Sequence, residues 1–294
     1  MDASVLVWMT PTLGALIFWG LGQGLIKKFI NEVPPARFCL FFIVAKSLVN
    51  LGYFFTQKQP LAEGMDFADF RFYGMLAYLL DGAAWILYFQ SIVHGPITIV
   101  GTLSAAYPAI SVVMARVFLG ETLTSLQYSG VVLVILSCIG LSYSPPDRSD
   151  KKTSKKWIPM AVGALLIWGA SQTLQKRAYM VEGSSEAYMS LFNTVGGLFT
   201  LGVYGMIFGR LSKGVHAKRE WAISFFPMAV MALGDLAALI AYKLGPVSIV
   251  SPVSGAYPVV TLGFAQVFLN EKITKLQWFC IGLIIVGVLL STGT

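Results

Sequence analysis

The chain has 294 residues, 56% of them hydrophobic and 12% charged, with a mean hydropathy of +0.72. Soluble domains carry roughly 25% charged residues, so a chain this apolar cannot clothe a water-facing surface. The net charge of +7 would suggest nucleic acid in a soluble protein, but here the basic residues gather in short loops, where they set membrane topology.

The N-terminus reads as a span rather than a cleaved signal, because it has Asp2 in place of a basic region and its apolar run continues past a signal's length. Ten spans follow, at about 8–29, 37–56, 72–93, 97–119 and 126–143, then 158–179, 187–208, 222–243, 247–269 and 275–292. Each approaches or exceeds the roughly 20 residues that cross a bilayer. Lipid forces each span to satisfy its own backbone, so helices are expected, not strands. The expected fold is an all-α integral membrane protein of ten transmembrane helices. The units are 1–143, a polar linker at 144–157 in which Pro145 and Pro146 stop the fifth helix, and 158–294.

Taken in order, span 1 aligns Trp19, Gln23 and Lys27 on one helical face. Span 2 holds Lys46 in an otherwise apolar run. Span 3 carries an aromatic stripe around a carboxylate: Tyr78, Asp81, Trp85 and Tyr88. Asp66 and Asp69 precede it, in the 2–3 loop. Gly95-Pro96 makes a turn into span 4, where Ser104, Tyr107 and Ser111 flank Pro108, and Glu121 ends the span as a cap for the helix that follows. Span 6 repeats the first stripe as Trp168, Gln172 and Lys176. Span 8 contains Asp235. Gly245-Pro246 turns into span 9, with Ser254, Tyr257 and Thr261 around Pro258, and then Glu271.

These correspondences are systematic. Residues 95–127 and 245–277 share sixteen identities at an offset of 150, and 14–28 matches 163–177 at an offset of 149. The chain is an internal duplication. Two similar halves of five spans each must cross the membrane in opposite senses, so the repeat is inverted. Basic residues of the linker and of the 7–8 and 9–10 loops lie on one side. The positive-inside rule places that side in the cytoplasm and both termini outside.

The Trp-Gly pairs Trp19-Gly20 and Trp168-Gly169 carry a family likeness. So do the fourth-helix pattern Ala106-Tyr107-Pro108, Phe118-Leu119, Glu121, Gln127 and its copy Ala256-Tyr257-Pro258, Phe268-Leu269, Glu271, Gln277. In these residues the chain resembles the drug/metabolite transporter superfamily, in its ten-helix EamA-type branch. The resemblance implies a central cavity lined by helices 1, 3, 4, 6, 8 and 9, alternating access, export, and termini in the cytoplasm, against the charge bias.

The expected activity is secondary-active export of a small organic metabolite from the cell, across a bacterial inner membrane. Aromatics around acids point to an amine-bearing solute, cationic or zwitterionic, such as an amino acid. The expected substrate-binding residues are Trp19, Gln23, Asp81, Trp85, Tyr88, Tyr107, Trp168, Gln172, Asp235 and Tyr257, with Asp235, Asp81 and Lys46 coupling transport to a proton. An intramembrane charge costs at least about 2.5–3.5 kcal/mol on insertion scales, so a Lys46–Asp81 ion pair is expected, leaving Asp235 unpartnered. No nucleotide-binding loop, cofactor motif or metal-ligand spacing occurs, and Cys39, Cys138 and Cys280 all lie in apolar runs. The expected partners are the small-molecule substrate and the lipid bilayer, with no nucleic acid, for a monomer or homodimer. The alternative, an integral membrane enzyme acting on a lipid, lacks the clustered intramembrane acids that such chemistry needs.

Overall fold

The computed structural model describes residues 3–29, 33, 35–94, 100, 103, 106–142, 156–209, 216–270 and 272–292. The linker up to residue 155, Gly95-Pro96, Ser104, Glu271 and the Lys27 side chain lie outside the described residues.

The helices follow the apolar periods of the chain. They are α1 (Ala3–Phe29), α2 (Pro35–Gln57), α3 (Phe67–His94), α4 (Tyr107–Leu119), α5 (Ser125–Ser142), α6 (Trp157–Tyr179), α7 (Glu186–Phe208), α8 (His216–Leu244), α9 (Val247–Phe268) and α10 (Lys275–Ser291). Seven are long and apolar enough to span a bilayer, and α4, α5 and α10 are shorter apolar helices. α3 and α8 start at Phe67 and His216, earlier than the 72 and 222 read from hydropathy. The first turn of α8 is polar and extends the helix beyond its apolar run, whereas α3 starts early on Phe67 and Phe70, which pack against Phe192 of α7. At α3, Asp66 Oδ1 accepts the Asp69 backbone N–H at 3.0 Å, giving the loop acids a capping role. α9 breaks at mid-span into Val247–Gly255 and Pro258–Phe268, the interruption that Pro258 imposes.

The packing obeys a two-fold relation between the halves. α1 lies against α8 and, equivalently, α6 against α3. α2 meets α8 as α7 meets α3, and α1 meets α9 as α6 meets α4. α2–α7, α4–α9 and α5–α10 pair across the axis. With five spans in each half, this is the inverted-repeat architecture. The Trp-Gly pairs serve it directly: a methyl on Gly20 would overlap Val260 of α9, and one on Gly169 would overlap Ile110 of α4. Outside, matched residues such as Val117 and Phe118 on α4 and Val267 and Phe268 on α9 are exposed. They form the apolar skin that lipid covers.

One expected cap falls elsewhere. α5 is started by Thr124 and Gln127, which exchange hydrogen bonds at 3.0 and 3.3 Å. Glu121 instead reaches into the other half, accepting from Val247 N (3.0 Å), Ser248 N (2.9 Å) and Ser248 Oγ (2.6 Å) at the first turn of α9. Free N–H groups and the helix dipole make that end a natural seat for a carboxylate.

Candidate functional site

The site is a cavity of about 460 Å³ between the halves, walled by α1, α3, α4, α6, α8 and α9. Trp19, Gln23, Asp81, Trp85, Tyr88, Tyr107, Trp168, Gln172, Asp235 and Tyr257 all line it. The sequence reading missed Met231, which also lines it. The repeat offset of 150 places Met231 over Asp81, a signal that was present, but methionine carried no chemical cue.

At the floor is a triad. Lys46 Nζ stands 3.1 Å from Asp81 Oδ2 and 2.9 Å from Asp235 Oδ2. The expected Lys46–Asp81 pair is therefore present, but Asp235 is not left over. α2 packs against both α3 and α8, and Lys46 bridges them. Trp19 Nε1 donates to Asp235 Oδ1 at 2.8 Å, and the repeat-equivalent Trp168 lines the cavity with Asp81. The Trp19 indole thus holds a carboxylate of the opposite half. Lys46 is 1% exposed, whereas Asp81 and Asp235 keep 17% and 11% of their side-chain surface open. The lysine is sealed behind the acids, and the acids face the cavity. The triad holds one ammonium and two carboxylates, a formal charge of −1.

Aromatic rings form the walls. Trp168 packs against Trp85 at 5.0 Å, Tyr88 at 5.3 Å and Tyr107 at 6.0 Å, and Trp19 meets Tyr257 edge-on at 6.3 Å. Gln172 Oε1 accepts from Ser111 Oγ of α4 (2.8 Å) and Ser251 Oγ of α9 (2.5 Å), tying three helices at one point. The other repeated hydroxyls are structural. Ser254 bonds back to the Val250 carbonyl at 2.7 Å, and Thr261 donates to the Gly20 carbonyl at 3.0 Å. Lys176 stays out of the cavity and donates to the carbonyls of Tyr242 (3.0 Å) and Gly245 (2.7 Å) at the end of α8.

A second compartment of about 310 Å³ adjoins the first and shares Trp19, Asp81, Gln172 and Asp235 with it. The sequence reading did not anticipate it. Its remaining lining includes Lys46, Tyr78, Gln175, Asn193 and Tyr242.

The pattern of the EamA-like transporter family matches residues 6–143 and again 155–293, one copy on each half of this fold. The chain belongs to the EamA-like transporter family. That family places the chain among the multi-pass membrane proteins of the drug/metabolite transporter superfamily. An uncharacterized protein of Methanocaldococcus jannaschii is 38% identical over 72 residues, a match spanning 24% of this chain and 53% of that protein. A solved crystal structure superimposes with a TM-score of 0.76 at 15% identity, covering 99% of this chain and 97% of that one. That likeness concerns the fold alone. For an EamA-like transporter, the cavity between the repeats is where a solute site is expected, near mid-membrane at the repeat interface.

Proposed function

We propose that this EamA-like protein is a secondary-active exporter of a small amine-bearing solute, cationic or zwitterionic, such as an amino acid. The observation that carries the reading is the triad: one lysine neutralises only one of two carboxylates at the floor of an aromatic cavity. In a low-dielectric site the second carboxylate needs a positive partner. An ammonium group supplies it, and the surrounding ring faces add about 0.5–2 kcal/mol each. A proton supplies it equally well. Solute and proton then compete for one charge, which couples their movements. Asp235 and Asp81 take the cation, Lys46 holds both acids in place, and Trp19, Trp85, Tyr88, Tyr107, Trp168 and Tyr257 enclose the solute, with Gln23 and Gln172 at its polar edge.

The solute cavity extends from the triad toward the linker face. Under the charge bias that face is cytoplasmic, the loading side of an exporter in a bacterial inner membrane. The protein works by alternating access as a monomer or homodimer, in two repeats at 1–143 and 158–294.

The test is the melting temperature of purified protein against amines, zwitterionic amino acids, neutral sugars and dicarboxylates. Amines and zwitterions are expected to raise it, by about 2.7 kcal/mol of stabilisation at 100 times Kd, and Asp235→Asn is expected to erase the response. Stabilisation by sugars or dicarboxylates alone would overturn the amine assignment.

A further inference from the structure

The two compartments lie on opposite sides of the triad. Along α3, which runs from the 2–3 turn toward the linker face, Tyr78 lines the second compartment, Asp81 lines both, and Trp85 and Tyr88 line the first. α8 runs the other way and gives the matching order: Met231 in the first, Asp235 in both, Tyr242 in the second. The second compartment therefore points to the face that carries the 2–3, 6–7 and 8–9 turns.

Polar groups continue in that direction. Asn50 is one turn beyond Lys46 on α2, and Tyr179 is one turn beyond Gln175 on α6. Asn193 and Ser190 precede it on α7, whose first residue is Glu186. Asn50 is fully buried, Asn193 is 2% exposed and Tyr179 9%. Both side-chain polar atoms of Asn50, Asn193 Oδ1 and Tyr179 Oη find no hydrogen-bond partner among the described residues. Each such atom costs about 1–3 kcal/mol if left unsatisfied, and native proteins satisfy them with buried water. The space that a water can occupy there is about 30 Å³, room for about two waters at roughly 10–15 Å³ each. The row reaches the surface at the Glu186–Lys243 pair, 2.7 Å apart and about a quarter to a third exposed.

We propose that this row holds a water chain that carries protons to the triad from the face opposite the solute cavity. It rests on the coupling role proposed above. A proton enters at the Glu186–Lys243 end, passes from water to water, and adds to an Asp235 carboxylate oxygen, forming the carboxylic O–H. The donating water is restored from the face. Lys46 from α2, Asp81 and Tyr78 from α3 and Tyr242 from α8 are the titratable groups facing that carboxylate. Gln175, in the lining, is tied down by its own partners, accepting from Tyr78 Oη and donating to Ser171 Oγ, both at 3.3 Å. Proton and solute thus reach the same charge by separate routes.

Time-resolved infrared spectroscopy of the purified protein after an acid jump, with no solute present, tests this. The wild type is expected to show a carboxylic C=O band that Asp235→Asn lacks. Asn193→Leu, which matches asparagine in size but not polarity, is expected to slow the band about tenfold or more, the effect of roughly 1.4 kcal/mol of added barrier, without changing its final amplitude. Asn50→Leu is expected to do the same, and Asn193→Ser to keep the wild-type rate. Wild-type rates in both leucine variants would overturn the route and leave coupling intact. Absence of the band in the wild type would remove the coupling role and the route together.

Discussion

The two walls of the solute cavity began as copies and now differ in kind. On one, Trp168 meets Tyr107 at 6.0 Å. On the other, Trp19 meets Tyr257 at 6.3 Å. Beyond these shared pairs they diverge. Beside Trp168, α3 places Trp85 and Tyr88. At the same repeat positions beside Trp19, α8 places Asp235 and Ala238, and the indole becomes a hydrogen-bond donor to the carboxylate. Each wall keeps one carboxylate, Asp81 on α3 and Asp235 on α8, but only the α3 wall adds two large rings, Trp85 and Tyr88, beside it. The duplication preserved the packing of the frame, while the side chains that line the cavity drifted apart.

The largest blow to this arrangement is Lys46→Met. It leaves both carboxylates facing each other without a cation, and breaking such a buried pair costs about 3–5 kcal/mol. The melting temperature in detergent should fall accordingly, and adding Asp81→Asn should recover more than half of the loss. A variant that melts like the wild type would mean the triad does not exist. A smaller change makes the walls more alike. Gly234 of α8 corresponds to Ala84 of α3 at the offset of 150, and a methyl on Gly234 would overlap the Trp19 indole. Gly234→Ala should cost about 1–3 kcal/mol by overpacking. It should also blunt stabilisation by amines, because Trp19 is displaced from Asp235. Normal amine response with unchanged melting would show that the α8 wall does not need the Trp19 indole. The smallest effect compares the hydroxyls. Ser111→Ala removes one of two donors to Gln172, and Thr261→Val removes the bond to the Gly20 carbonyl. Each should cost about 1 kcal/mol, but only Ser111→Ala should alter solute affinity. Equal affinity losses in titration of the two variants would erase the distinction.

Much of this molecule was legible in its residues. Apolar periods marked the helices, and the duplicated GP…AYP…FLxE segments marked the symmetry. Polar and aromatic side chains in register on a buried helix face marked the cavity, because only a cavity or a partner tolerates Gln23, Asp81 or Gln172 at that depth. The partnership of Lys46 with Asp235 was not legible. It depends on α2 lying between α3 and α8, a contact between halves that no local pattern encodes. Glu121 failed as a local cap for the same reason: its partner lies 126 positions away at Val247. The second compartment stayed hidden because Gln175, Asn193 and Tyr242 are scattered over three helices, and none is charged.

The cross-half packing also bears on how the protein comes to exist. α1–α8, α3–α6, α2–α7, α4–α9 and α5–α10 all join residues made early to residues made late. The first five helices therefore enter the bilayer before the surfaces that complete them have been synthesised. α5, finished at Ser142, waits for α10, which ends at Ser291. Order of synthesis and order of assembly are thus uncoupled, and the nascent first half depends on lipid, rather than on its own neighbours, to hold its helices upright until the last one arrives.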